Sequence, residues 1–207
     1  MRVPPAALDR ARSLAAAGGR RLLGVVGAPG SGKSTLAGAL AAALEEDVAV
    51  VPMDGFHLAQ AELERLGLAD VKGAPQTFDA AGLAVLLRRL REQRPGDPPV
   101  YAPAFDRDLE EPIAGAVPVA GEVPLVVVEG NYLLLDRGPW AGVADLFDET
   151  WYVEVPEDVR VGRLVARHVA HGRSPEAARA WVERSDEANA RLIARTRSRA
   201  TSIIRLD

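Results

Sequence analysis

The chain contains no cysteine, only two lysines, and only three Trp, three Tyr and four Phe in 207 residues. Without cysteine there can be no disulfide, thiolate metal site or cysteine nucleophile, and a reducing, cytoplasmic setting is expected. No stretch approaches the roughly 20 apolar residues of a membrane span. The opening Met1-Arg2-Val3-Pro4-Pro5 lacks the apolar centre of a signal peptide. A net charge of −4 gives no basic field to attract a polyanion, so neither nucleic acid nor a membrane surface is expected as a partner. The scarcity of lysine is informative in another way. Of 25 basic residues, all but Lys33 and Lys72 are arginine. A compact ammonium and a planar guanidinium do not substitute freely where a phosphate is bound, so each lysine calls for a reason.

Lys33 has one in its neighbours. Gly27-Ala28-Pro29-Gly30-Ser31-Gly32-Lys33-Ser34, followed by Thr35, spells a phosphate-binding loop. The apolar run Leu22-Leu23-Gly24-Val25-Val26 before it suits a buried parallel strand, and the Ala- and Leu-rich run after it, Leu36 to Leu44, suits a helix. Glycines let successive N–H groups turn inward around phosphate oxygens, and the helix N-terminus adds its dipole. Lys33 is placed to reach the β- and γ-phosphates and Ser34 to ligate Mg²⁺. A nucleoside triphosphate site is therefore expected over residues 27–35.

Alternation of strand and helix patterns continues along the chain and predicts an α/β fold: a three-layer P-loop NTPase with a parallel sheet and a short helical lid, built as one domain over residues 1–207. Helices are expected over 4–17, 32–45, 79–93, near 139–147, and over 157–171 and 175–195. Strands are expected over 21–27, 48–52, 124–129, 150–155 and 202–206. Residues 94–123, rich in Pro and Gly, read as loop with short strands.

In such sheets ligands gather at the carboxyl ends of the strands. The second strand runs into Met53-Asp54-Gly55-Phe56-His57, and the strand over 124–129 ends in Glu129-Gly130-Asn131-Tyr132. Asp54 and Glu129 are thus expected beside the γ-phosphate and, with Ser34, around Mg²⁺. Asp54 suits the base that takes a proton from an acceptor hydroxyl. Arg160, Arg163, Arg167 and His171 recur at three, four and four residues, along one face of the helix over 157–171. With Arg173 after Gly172 they form the expected lid, around 157–175, with Arg163 and Arg167 as its catalytic contacts. No role is assigned to His57 or His168.

The chain resembles the P-loop small-molecule kinases that include uridine kinase, type I pantothenate kinase and phosphoribulokinase. It is similar to the compact bacterial nucleoside/nucleotide kinase-like proteins, some of them named fructokinase. The resemblance spans 22–206 and rests on several segments besides the phosphate loop. They are Met53 to His57, Lys72-Gly73-Ala74-Pro75-Gln76-Thr77-Phe78-Asp79, Tyr101 to Arg107, Val126 to Gly130, and Asn189 to Arg197. It implies Asp54 as base, and Lys72, Phe78, Asp79 and Arg107 as the lining of an acceptor pocket. Lys72-Gly73-Ala74-Pro75 departs from the Asp-His-Pro of uridine kinases and follows the Lys-Gly-x-Pro of pantothenate kinases, as does the Thr196 to Ala200 run. The implied reaction is Mg²⁺- and ATP-dependent phosphorylation of an alcohol on a small metabolite: a sugar such as fructose, a nucleoside, or a pantothenate-like acid.

The alternatives are an ATP hydrolase or nucleic-acid motor, and a nucleotide-dependent switch. A motor needs a polyanion track, against the acidic balance. Asp70-Val71-Lys72-Gly73 fits the Asp-x-x-Gly of GTP switches but follows no apolar strand, and two lysines leave no Asn-Lys-x-Asp guanine reader. Gly27, Gly30 and Gly32 do not give the Gly-x-Gly-x-x-Gly of a dinucleotide fold.

Overall fold

The computed structural model describes residues 3–206; residues 1, 2 and 207 of the expected 1–207 unit lie outside the described residues. Helix α1 (Pro5–Ala15) leads into strand β1 (Arg21–Val26), the phosphate loop and helix α2 (Lys33–Leu44). Strand β2 (Val48–Pro52) follows, then a 3₁₀ turn over Met53–Phe56, the short helix α3 (Gln60–Arg65) and helix α4 (Ala80–Glu92). Strands β3 (Val100–Asp106) and β4 (Glu111–Val119) come next, then β5 (Leu125–Gly130) and β6 (Glu149–Glu154). Helix α5 (Glu157–Ala170), helix α6 (Pro175–Trp181), a π turn over Val182–Asp186, helix α7 (Glu187–Ala194) and strand β7 (Ser202–Arg205) complete the chain.

The main sheet has the order β2-β5-β1-β6-β7, every neighbour parallel. Its strands are apolar on both faces because helices cover both. On β1, Leu22 and Val26 point into a core shared with Leu83, Leu87 and Leu90 of α4 and Ile193 of α7, while Leu23 and Val25 meet Leu36 and Leu40 of α2 and Ala11 of α1. That alternation, period two on a strand buried on both sides, makes the three layers.

Three expectations are corrected. Residues 94–123, expected as loop with short strands, are more ordered than that: β3 and β4 pair antiparallel as a separate two-stranded sheet, with a register shift between Ala102 and Ala104 where Pro103 cannot donate to the ladder. The helix near 139–147 is two 3₁₀ turns, Gly138–Trp140 and Ala144–Leu146, separated around Gly142 in the left-handed region. The helix over 175–195 is divided by the π turn, where one extra residue enters the winding.

Candidate active site

The phosphate loop occupies the carboxyl end of β1, between β5 and β6. Gly30 and Gly32 hold φ of +81° and +89°, which side-chain-bearing residues rarely adopt. Gly30 is required for a second reason. A Cβ there would stand 2.7 Å from the Arg160 carbonyl oxygen and 2.9 Å from Leu164 Cγ, so α5 crosses directly against the loop.

That crossing sorts the arginine stripe. Arg160 does not share a cavity with Arg163 and Arg167. Its side chain is 5 % exposed, donates to the Pro29 carbonyl at 3.3 Å and to Glu157 at 2.8 Å, and pairs with Glu187. It fastens α5 to the loop and to the start of α7. Arg163 and Arg167 are exposed and, with Leu164, close a cavity of about 290 Å³ over Gly30, Gly32, Lys33, Ser34 and Thr35. Arg107, from the turn between β3 and β4, completes the lining. His171 caps the end of α5 through Nδ1 to the Arg167 carbonyl, 2.7 Å away.

The two strand-end acids are brought together but differ in surroundings. Pro52 is in register with Glu129 across the β2–β5 pair, which sets Asp54 just beyond the end of the sheet. Glu129 is 7 % exposed. Burial holds its carboxyl above the usual range and the neighbouring Asp54 adds to this, against the pull of the Lys33 ammonium and the Ser34 hydroxyl. Asp54 is 32 % exposed at its side chain and meets the Arg107 guanidinium at 3.5 Å.

Around Asp54 lies an aromatic wall. His57 Nδ1 donates to the Asp54 carbonyl at 2.8 Å, and its ring sits 3.9 Å from Phe78 and 4.8 Å from Phe105. Burial keeps that imidazole below its ordinary pKa, and so neutral. Phe78, buried, continues to Tyr132 at 5.6 Å and Trp140 at 6.0 Å. Tyr132 donates its hydroxyl to the Gly73 carbonyl at 2.5 Å, and burial, with Asp54 and Asp186 nearby, raises its pKa well above the ordinary phenol range. Asn131 Oδ1 is buried with no hydrogen-bond partner.

Two residues expected in the acceptor pocket have hydrogen-bond partners within the protein. Asp79 is exposed and caps α4, accepting from the Gly82 N–H at 2.8 Å. Lys72 Nζ donates to the Glu110 carbonyl at 2.7 Å and to Gln60 Oε1 at 3.3 Å, 5.4 Å from the Phe105 ring centroid. It ties α3 to the β3–β4 turn, a site where a flexible point charge fits. Residues that sequence reasoning missed include Tyr132, Asn131 and Asp186. The strand-end position of Asn131 and Tyr132, two and three residues after Glu129, was the available signal.

A phosphate loop at the centre of this five-stranded sheet, two strand-end acids and a helix presenting arginines across the loop define a P-loop kinase. The model of the Phosphoribulokinase / Uridine kinase family matches residues 22–206, and the chain belongs to that family. A crystal structure from Silicibacter sp. TM1040, named a "putative fructose transport system kinase", superposes with a TM-score of 0.82 at 43 % identity, covering 90 % of each chain. A "Putative uridine kinase" of Schizosaccharomyces pombe is 37 % identical over 162 residues, 74 % of this chain and 68 % of its own length. The pantothenate kinase of Xanthobacter autotrophicus is 36 % identical over 149 residues, 67 % of this chain and 45 % of that longer protein. Family membership implies nucleotide binding and a small-molecule substrate. Among the described residues, no helix is long and apolar enough to cross a membrane.

Proposed function

We propose that the protein transfers the γ-phosphoryl group of ATP to a hydroxyl of a small metabolite. Arg107 carries this reading. It lines the cavity at the phosphate loop and also pairs with Asp54, so the phosphate site and the candidate base share one guanidinium. An acceptor hydroxyl resting on Asp54 is thereby set at the mouth of the phosphate cavity. As its oxygen bonds to the γ-phosphorus, its proton passes to the Asp54 carboxylate, and the bond from phosphorus to the bridging oxygen of ADP breaks. Lys33, Arg163 and Arg167 meet the charge spread over the transferring oxygens, and the backbone N–H groups of Gly30 to Thr35 cradle the rest of the chain of phosphates.

The donor set suits a hard divalent cation, since a hydroxyl and two carboxylates converge and the buried Glu129 lies in the field of Asp54. Ser34, Glu129 and Asp54 would hold Mg²⁺, which supplies neutralisation of the phosphate charge. In this reading the chain is one kinase domain in the cytoplasm, with residues 157–175 as its lid.

The acceptor is a sugar such as fructose, a nucleoside, or a pantothenate-like acid; the name carried by the Silicibacter structure puts fructose first. The test is coupled ADP release with Mg-ATP across fructose, other sugars, uridine, cytidine, pantothenate and ribulose phosphate. Release that depends on one acceptor class is expected. Equal release with and without every acceptor would replace the kinase by a hydrolase.

A further inference from the structure

We propose that Asp186 and His168 act as a positioning pair that sets the rotation of α5, and with it the aim of Arg163 and Arg167 into the phosphate cavity. The inference rests on the phosphotransferase reading above and adds to it two residues that touch neither substrate.

His168 directly follows Arg167, one turn beyond Leu164, whose side chain lies against Gly30 of the loop. Its Nε2 is 2.9 Å from Asp186 Oδ2, with side chains only 17 % and 12 % exposed. Asp186 closes the π turn over Val182–Asp186. The next residue, Glu187, holds Arg160. Two consecutive acids therefore grip α5 at residues eight apart, about 12 Å along its axis, and both cavity arginines lie between the grips. The extra residue of the π turn makes this possible. In uninterrupted α-helix the residues after it would be displaced by about 100° around the axis, and Asp186 and Glu187 could not both keep their partners. Trp181 closes the flank: its ring packs against Arg173 at 4.0 Å and Arg184 at 5.2 Å and lies 6.4 Å from His168.

A largely buried polar pair is a poor device for stability alone, because desolvation offsets most of its attraction, and an apolar pair would join the elements as well. What a directional pair adds is register.

The test is a double-mutant cycle on nucleotide affinity, read by titration calorimetry with the non-hydrolysable analogue AMP-PNP and Mg²⁺, which needs no acceptor. Asp186→Asn should weaken binding about 5- to 20-fold in the parent but less than about 2-fold in an Arg167→Ala background, because the pair acts through that arginine. Exchanging the partners, His168→Asp together with Asp186→His, should recover a substantial part of the affinity. With an acceptor in hand, kcat should fall more than the acceptor KM changes. Equal losses in both backgrounds, or unchanged affinity in the parent, would overturn the proposal. Should Asp186→Asn fail to fold, His168→Gln runs the same cycle with the same two outcomes. A parent that binds AMP-PNP yet phosphorylates no acceptor would remove the kinase reading and leave this cycle readable.

Discussion

Two cavities flank the phosphate loop, and they differ in the charge of their walls as well as in size. The smaller, about 290 Å³, is lined by Lys33, Arg107, Arg163 and Arg167 and, among the described residues, by no acid. The larger, about 530 Å³, lies between the ends of β6 and β7, the start of α5, and α7. It also has four arginines, but Arg160, Arg197 and Arg205 are answered by Glu154, Glu157 and Glu187 in its own walls. One space accumulates positive charge; the other cancels it. A polyphosphate is drawn to a wall whose charged side chains share one sign, so volume is the weaker guide.

The comparison can be broken at several points. Lys33→Ala removes the cation that follows charge onto the transferring group, and kcat should fall by about 10³-fold or more, with loss of the thermal stabilisation given by Mg-ATP. A variant with parental turnover would end the assignment of the smaller cavity. Asp54→Asn should cost about 10²–10⁴ in kcat with little change in the KM for ATP. If Mg²⁺ affinity falls instead and kcat holds, Asp54 positions the metal and Glu129 becomes the base.

The sharpest contrast pairs one arginine from each cavity. Arg167→Ala should lower kcat roughly 10- to 100-fold. Arg191→Ala, exposed in the larger cavity, should change turnover less than about 2-fold and stability by no more than about 0.5 kcal/mol. Comparable losses from both would show that the two spaces act as one site.

The smallest effect concerns pH. Burial holds His57 neutral in the folded protein where the unfolded chain, with an ordinary pKa near 6.5, is already protonated. Its contribution to stability is complete above about pH 6.5 and is lost as pH falls towards the lowered folded value. Melting of the nucleotide-free protein from pH 7.5 down to 5.5 should show this as a loss of about 1 kcal/mol or less, and His57→Gln should flatten it. A His57→Gln profile as steep as the parental one would place the titration elsewhere.

What the sequence made legible was local. The phosphate loop is a backbone pattern that needs glycine at fixed spacings, and the apolar runs Leu22 to Val26 and Leu125 to Val128 stand out on their own, so both could be read without knowing the fold. Helical spacing placed Arg163 and Arg167 correctly on one stretch of α5 but could not separate them from Arg160. Burial of Arg160 depends on Pro29 and Glu187, 131 and 27 residues away, and no periodicity carries that. The β3–β4 pair was hidden because Pro103, Pro112, Gly115 and Pro118 interrupt both of its strands. Lys72 drew notice by its rarity, yet its partners are a backbone carbonyl on the hairpin turn and a glutamine on α3, contacts that only the folded chain brings together. The π turn leaves no compositional mark at all; an extra residue in a helix is visible only once its neighbours are in place.

The strand order has a consequence for how the chain is made. Among the described residues, β1 pairs only with β5 and β6, and β2 only with β5. Until residues 125–130 have left the ribosome, no rung of the main ladder can close, however well β1 is suited to its place. At about 5–20 residues per second, the most apolar segment of the amino-terminal half waits several seconds for its partners. The phosphate loop, complete in sequence by residue 35, takes its shape only when a strand made some ninety residues later slides in beside it, and this half of the nascent chain is where a chaperone would find its longest opportunity.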